Sequence, residues 1–211
     1  AVYLRGSLKK GVGPQDVAIA LCGAVFKTGF VKNKILEFIG PGIKNLSMDY
    51  RNGIDVMTTE TACLSSVWET DEKTREYYEV HGRAQDYKEL RPSDPAYYDG
   101  GIVINLSTIE PMIALPFHPS NAFTIREFLE RPREILEEVE AVGKKLRGDD
   151  NFDLTGKIRG DGVYVDQGII AGCAGGMYEN IAEAYEILKG GSIGSDEFSL
   201  SVYPSSQPVY K

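Results

Sequence analysis

The sequence predicts an α/β protein made of three-layer α/β/α pieces with mostly parallel sheets. Two observations carry this. Short apolar runs rich in β-branched residues alternate with longer segments whose apolar residues recur at helical spacing. Glycine and proline turns punctuate most changes from one to the other. Alternation of this kind favours parallel strands joined by helical crossovers, with helices on both sides of the sheet.

Residues 1–8 are the first expected strand. Pro14 and Asp16 then open a helix in which Val17, Ile19, Leu21, Val25 and Phe26 bury nearly every face; a first-turn proline and a nearby acid both suit a helix start. Residues 35–39 form a second strand, stopped by Gly40-Pro41-Gly42. A helix is expected over 47–60, with Leu46, Tyr50 and Met57 at helical spacing and Asn52-Gly53 as a weak point. A short strand over 63–68, an acidic helix over 70–80 and a surface loop over 87–99 follow. Strands at 101–106 and 112–115 lead to Pro116 and Pro119, which mark a boundary between a domain of residues 1–117 and part of a second, 118–211. Thr124 and Glu127 have capping-box spacing and open a helix on Ile125, Phe128 and Leu129. After Pro132 its pattern resumes at Ile135, Leu136, Val139, Val142 and Leu146, with Glu134, Glu137, Glu138 and Glu140 as the solvated face and Lys144, Lys145 and Arg147 in the last turn. Residues 148–162 are a polar connection, and 198–203 a last strand.

Composition narrows the function classes. The chain has 211 residues, 42% of them apolar, enough for a real core. Asp and Glu outnumber Lys and Arg 31 to 23, and no basic block is long enough to track phosphates, so nucleic acid is excluded as the main partner. No apolar run approaches the ~18 residues that cross a membrane. The 3 cysteines have no pairing pattern and suit a reducing compartment such as the cytoplasm.

Chemistry concentrates near the C-terminal end, in Gly168-Ile169-Ile170-Ala171-Gly172-Cys173-Ala174-Gly175-Gly176-Met177-Tyr178-Glu179-Asn180-Ile181. Val163, Val165, Ile169 and Ile170 read as buried strand. Met177, Ile181, Ala184, Tyr185 and Leu188 keep helical spacing until Gly190-Gly191. Cys173 therefore sits where a helix N-terminus favours negative charge, so its thiol becomes the thiolate that ligates metal or attacks carbon. The alternative is a small residue filling a tight turn.

These residues resemble the aconitase family, iron–sulfur hydro-lyases that include isopropylmalate dehydratase. In that family the first cluster-ligating cysteine sits in a Gly-Ser-Cys-Thr-Asn turn after an apolar strand. Cys173 and Tyr178-Glu179-Asn180 occupy matching places. Gly11-Val12-Gly13-Pro14-Gln15-Asp16-Val17 and Gly40-Pro41-Gly42 resemble the family's strand–helix–strand opening. Thr58-Thr59-Glu60-Thr61-Ala62 resembles the segment of an active-site glutamate, and Asn105-Leu106-Ser107-Thr108-Ile109-Glu110-Pro111 with Pro116-Phe117 a further block. Val202-Tyr203-Pro204-Ser205-Ser206-Gln207 resembles the stretch after the cysteine helix. The departures are Gly172, Ala174 and Gly175 in place of polar residues around the cysteine, and Val56 in place of an asparagine.

The resemblance implies an aconitase-like fold and dehydration and rehydration of a small hydroxy polycarboxylate on a [4Fe–4S] cluster. Cys173 would be a cluster and metal ligand, and Glu60 a catalytic group beside the iron-bound water. A later Cys-x-x-Cys pair, an Asp-His pair and arginines that the family uses are not in this sequence. The chain thus reads as a middle segment whose partners are the remaining domains of the same polypeptide, and which alone binds no cluster and is inactive. Glu60 also has a local rationale: a carboxylate near the end of the 47–60 helix would meet the negative pole of the dipole, a placement suited to proton transfer. Otherwise it is an exposed helix-end acid.

Cys22 lies in an all-apolar helix and reads as core, Cys63 as a strand thiol three residues beyond Glu60, and His81 and His118 as lone loop histidines without metal-ligand spacing. Two other classes remain open: a cluster-less paralogue acting as a binding or regulatory protein, and a nucleotide-binding domain. The glycine spacing around Gly172 does not fit Gly-x-Gly-x-x-Gly, which disfavours the latter.

Overall fold

The structure is a computed structural model that describes residues 1–195 and 197–211. Strand β1 (Val2–Arg5) runs into a loop that ends at helix α1 (Pro14–Val25). Asp16 explains the helix start: its Oδ2 accepts the Gly13 N–H at 2.7 Å, satisfying a donor the first turn leaves free. Strand β2 (Ile35–Ile39) ends at the Gly40-Pro41-Gly42 turn, which presses on β1. A Cβ on Gly40 would come within 2.7 Å of the Leu4 carbonyl oxygen, and one on Gly42 within 2.8 Å of the Leu4 carbonyl carbon, so only glycine fits there.

Helix α2 (Met48–Val56), capped by the Ser47 hydroxyl, continues into a 3₁₀ turn (Thr58–Thr61) before strand β3 (Ser65–Trp68). Helix α3 (Glu72–Val80) is capped by Asp71, and strand β4 (Ile102–Asn105) returns to the far edge. The result is a parallel four-stranded sheet in the order β3-β2-β1-β4. Register pairs Val2 with Phe38 and Leu4 with Ile104, so one face collects Val2, Leu4, Leu36, Phe38 and Ile104. Val17, Leu21 and Val25 of α1 and Ile54 of α2 close over that face, each buried aliphatic contributing roughly 1.5–3 kcal/mol. Tyr3, Ile35, Val67 and Val103 on the other face are exposed. The α/β class and the mostly parallel sheet are as predicted, with the helix layer of the described residues on one side.

Strands β5 (Met112–Ala114) and β6 (Ala122–Thr124) form an antiparallel hairpin across residue 117. Helix α4 (Ile125–Glu130) starts where the capping pattern expects it, with the Thr124 hydroxyl accepting the Glu127 N–H at 3.0 Å. Helix α5 (Pro132–Arg147) packs Ile135, Leu136 and Val139 against Leu115 and Phe128 in a second core. A small hairpin of β7 (Ile158–Arg159) and β8 (Gly162–Val163) precedes β9 (Gln167–Ile170). Helices α6 (Gly172–Gly175) and α7 (Tyr178–Leu188) follow, then β10 (Ser199–Val202), parallel to β9, and α8 (Gln207–Tyr210). No helix among the described residues is long and apolar enough to cross a membrane.

Glu140 departs from the expected solvated face. It is buried, and its Oε1 accepts the N–H groups of Leu154 at 2.7 Å and Thr155 at 2.5 Å, pinning the polar connection to α5. The Thr155 N–H, helped by that of Leu154 and by Lys144, outweighs burial and holds the carboxyl at about 2. Because this value is depressed, the stabilisation is complete above the unfolded value and disappears as pH falls from roughly 5 toward 2. Glu140→Gln is expected to cost about 1–2 kcal/mol at neutral pH in urea unfolding. The gap from the parent should close on acidification; a gap that stays constant to pH 2 would show that the charge is not what matters.

Candidate functional site

Cys173 follows a strand, as predicted, but the local structure differs from the expected single helix. The thiol belongs to a one-turn helix, α6, which ends at Gly176 before α7 starts. Gly172 enters this turn at φ +85°, open to a glycine and strained for other residues. A Cβ on Gly176 would lie 2.6 Å from the Tyr203 carbonyl oxygen, and the Gly176 carbonyl accepts the Ser205 N–H at 2.8 Å. The cysteine turn and the Pro204-Ser205 stretch are thus one packed unit, which explains why both carry small residues. The buried strand expected over residues 163–170 is not found: Val165 lies before β9 and is exposed, and Ile169 within β9 is exposed too, β10 being the one strand that pairs with β9 among the described residues.

This unit is fastened to the first sheet through α2. The Ser47 hydroxyl donates to Glu179 Oε2 at 2.5 Å, and the Glu179 N–H donates to Asp49 Oδ2 at 3.1 Å. Asn180 Nδ2 donates to the Gly175 carbonyl at 2.9 Å, tying α7 back to the cysteine turn. Helix α6 packs on α2 and α1. Cys173 itself is exposed.

Glu60 lies four residues past the end of α2, in the 3₁₀ turn rather than at a helix terminus, and its side chain is 47% exposed. Around it are Cys22, Cys63 and His118. Cys63 Sγ donates to the Thr58 carbonyl at 3.3 Å. Cys22 is core, as expected, and its thiol is pushed up to about 11 by burial first, then by the nearby negative charge of Glu60. His118 Nε2 is 4.0 Å from Glu60 Oε2. Among the described residues no hydrogen bond or ion pair joins Glu60 to Cys173, and no group of three His, Cys, Asp or Glu side chains gathers as a metal site.

Between the first sheet with α1 and α2 and the β9–α7 unit is a cavity of about 730 Å³ at the carboxyl ends of β1 and β9, where open α/β sheets place ligands. Lys9, Lys10, Asp16 and Tyr50 line one side, Asn180 and Glu183 the other; Glu60 and Cys173 are not among its lining residues. Burial pushes the Asp16 carboxyl up, against the N–H groups of Gly13 and Met112. Burial also raises the Tyr50 hydroxyl, with Glu183, Glu179 and Asp16 adding to it. The sequence marked Asp16 only as a helix opener and Tyr50 only as a helix position. Nothing in their spacing signals a cavity built from segments so far apart in the chain.

The exposures give a direct test of thiol accessibility. Iodoacetamide near neutral pH should modify Cys173 first and Cys22 last, because Cys22 is both buried and held to its thiol form. Peptide mapping after partial labelling reads the order, and alkylation of Cys22 before Cys173 would contradict the exposed placement.

The whole chain, residues 1–211, matches the family described as aconitase family (aconitate hydratase). It is 32% identical over 207 residues to the 3-isopropylmalate dehydratase large subunit of Moorella thermoacetica, covering 98% of this chain and 41% of that protein. The corresponding protein of Acetivibrio thermocellus is 29% identical over 208 residues, covering 99% of this chain and 41% of the relative. A mitochondrial homoaconitase of Candida parapsilosis is 30% identical over 192 residues, covering 90% of this chain and 25% of the relative. The chain therefore spans about two-fifths or less of the length of these relatives. A match that runs unbroken from the first strand to the Pro204 stretch places this chain in the aconitase family.

Proposed function

We propose that the protein containing this chain is an aconitase-like hydro-lyase that dehydrates and rehydrates a small hydroxy polycarboxylate. The family match over all 211 residues carries the reading, and the motif resemblances of the Glu60 and Cys173 turns support it. The names of the relatives make 3-isopropylmalate a first substrate to try, and the words "large subunit" make a second subunit a candidate partner. The three free thiols suit the cytoplasm.

A [4Fe–4S] cluster with one iron free of cysteine would supply a Lewis acid for the substrate hydroxyl and carboxylate. Of this chain's thiols only Cys173 suits such a group. It is exposed on a glycine-flanked turn, whereas Cys22 is buried and Cys63 donates to a backbone carbonyl. Cys173 would hold the cluster from one side, with the other ligands drawn from the rest of the polypeptide. Glu60 would hold or move a proton at its carboxylate, next to the hydroxyl that leaves as water. Its partial exposure leaves that carboxylate open to substrate.

The test uses the full-length protein, purified without oxygen. Stoichiometric iron and acid-labile sulfide are expected, together with loss of the hydroxyl and gain of a C=C bond on hydroxy di- and tricarboxylates including 3-isopropylmalate. No iron and no turnover of any of them would refute the reading.

A further inference from the structure

His118 looked like a lone loop histidine in the sequence, yet the fold aims it at Glu60. It sits before β6, where the ring is held from two sides. The imidazole stacks on Phe26, just past the end of α1, with centroids 3.8 Å apart and planes 23° apart. Its Nδ1 lies 3.1 Å from the Ser120 backbone nitrogen and 3.0 Å from the Ser120 hydroxyl oxygen. A backbone N–H can only donate, so Nδ1 is an acceptor and the neutral ring carries its proton on Nε2. Nε2 is the atom that faces Glu60 Oε2, at 4.0 Å.

The two side chains are held unequally. The ring is fixed by stacking and by Ser120, while Glu60 is a longer side chain on a 3₁₀ turn, 47% exposed against 34% for His118. A rotation of the glutamate, not of the histidine, closes the gap to hydrogen-bond distance. The pair is also open to solvent, so a substrate can reach it.

We propose that His118 is a positioning residue for Glu60: its Nε2–H holds one carboxylate oxygen and leaves the other free to exchange a proton. His118 keeps its own proton throughout, so no further reactant is needed. This role rests on the assignment of Glu60 to the hydro-lyase reaction, whereas the contact itself does not.

The contact is tested on the full-length protein by ¹⁵N NMR of labelled histidine, with the His118 resonances identified by their loss in His118→Phe. His118 should show an unprotonated Nδ1 and a protonated Nε2, and Glu60→Gln should move the Nε2 resonance while Nδ1 stays an acceptor. A ring protonated on Nδ1 alone, or an Nε2 resonance that ignores Glu60→Gln, overturns the pairing.

The role is tested by kinetics on the full-length protein. His118→Phe keeps the stack and loses the donor, and should lower kcat about 10–100-fold, the range for a hydrogen bond to a charged group, with little change in KM. His118→Gln restores an N–H donor and should recover most of that loss. In the Glu60→Gln background His118→Phe should cost nothing more. Equal losses in His118→Phe and His118→Gln that add to the Glu60→Gln loss would reduce His118 to a support for its turn and overturn the proposal. If the full-length parent turns over no hydroxy acid while the NMR coupling is present, the hydro-lyase reading fails and the pairing stands.

Discussion

Replacing Asp71 by alanine is expected to destabilise the chain by about 3–5 kcal/mol, more than removing its partner Arg51 does. Arg51 is 2% exposed on α2 and donates to both carboxylate oxygens of Asp71, at 2.8 and 2.6 Å. It also donates to Thr74 Oγ1 and to the carbonyls of Ile43 and Leu46. Its Nε already lacks a partner, so losing Asp71 would leave a full charge buried among neutral acceptors. Arg51→Met removes that charge and orphans the carbonyls, while Asp71, 26% exposed, can rehydrate; about 1–3 kcal/mol is expected. The order of the two in urea unfolding is the measurement, and Arg51→Met costing more would mean that the attraction, not the burial of the charge, dominates.

The pH dependence of this pair has a definite sign. Burial pushes the Asp71 carboxyl up, but the hydrogen bonds and charge of Arg51, with Thr74, more than offset it and hold the group below its ordinary 3.8. The stabilisation is therefore complete above that value and is lost as pH falls below it toward the depressed value of the folded chain. Arg51 also clamps α2, the helix on which the cysteine turn rests and from which the chain reaches Glu60. Its loss should loosen the packing of α6 and α7 on α2 before the first core melts.

Legibility in the sequence followed the range of the forces involved. Helix α1 and strand β2 sit where periodicity placed them, and α4 starts at the Thr124 cap, because caps, proline and apolar spacing act within one turn or strand. The Gly-Pro-Gly turn was visible as a stop, although its reason, close contact with the β1 backbone, appears only in the fold. What spacing could not show was set by distant partners. Glu140 looks like one of several helix-surface acids until the backbone of Leu154 and Thr155 arrives to fill its lone pairs. His118 looks isolated until the 3₁₀ turn comes beside it, and nothing in the spacing marks Arg51 as buried before α3 arrives. Strand β9 is less buried than its apolar run suggests, because such a run reports a capacity for burial and among the described residues β10 is its one strand neighbour. At the candidate site the strand before Cys173 was legible, whereas the break between α6 and α7 and the 3₁₀ turn that carries Glu60 were not.

In the full-length protein, Cys173→Ser and Glu60→Gln should separate cluster from chemistry. Cys173→Ser replaces the exposed thiol of α6 with a poorer ligand for iron, and loss of iron and acid-labile sulfide together with activity is expected. Glu60→Gln keeps shape and removes the proton-carrying group, so iron content should match the parent while kcat falls about 10²–10⁴-fold, the usual worth of general acid–base help. Neither substitution touches a core: Cys173 is exposed, and Glu60 is 47% exposed with His118 Nε2 at 4.0 Å. The 211-residue chain carrying either change should therefore unfold within about 0.5 kcal/mol of the parent. That control distinguishes a functional loss from a folding loss. If Glu60→Gln lowers iron as much as Cys173→Ser does, Glu60 belongs to the support of the cluster and not to proton transfer. If Glu60→Gln leaves kcat within about twofold, where a general acid–base group should cost far more, its assignment to the reaction fails whatever happens at Cys173.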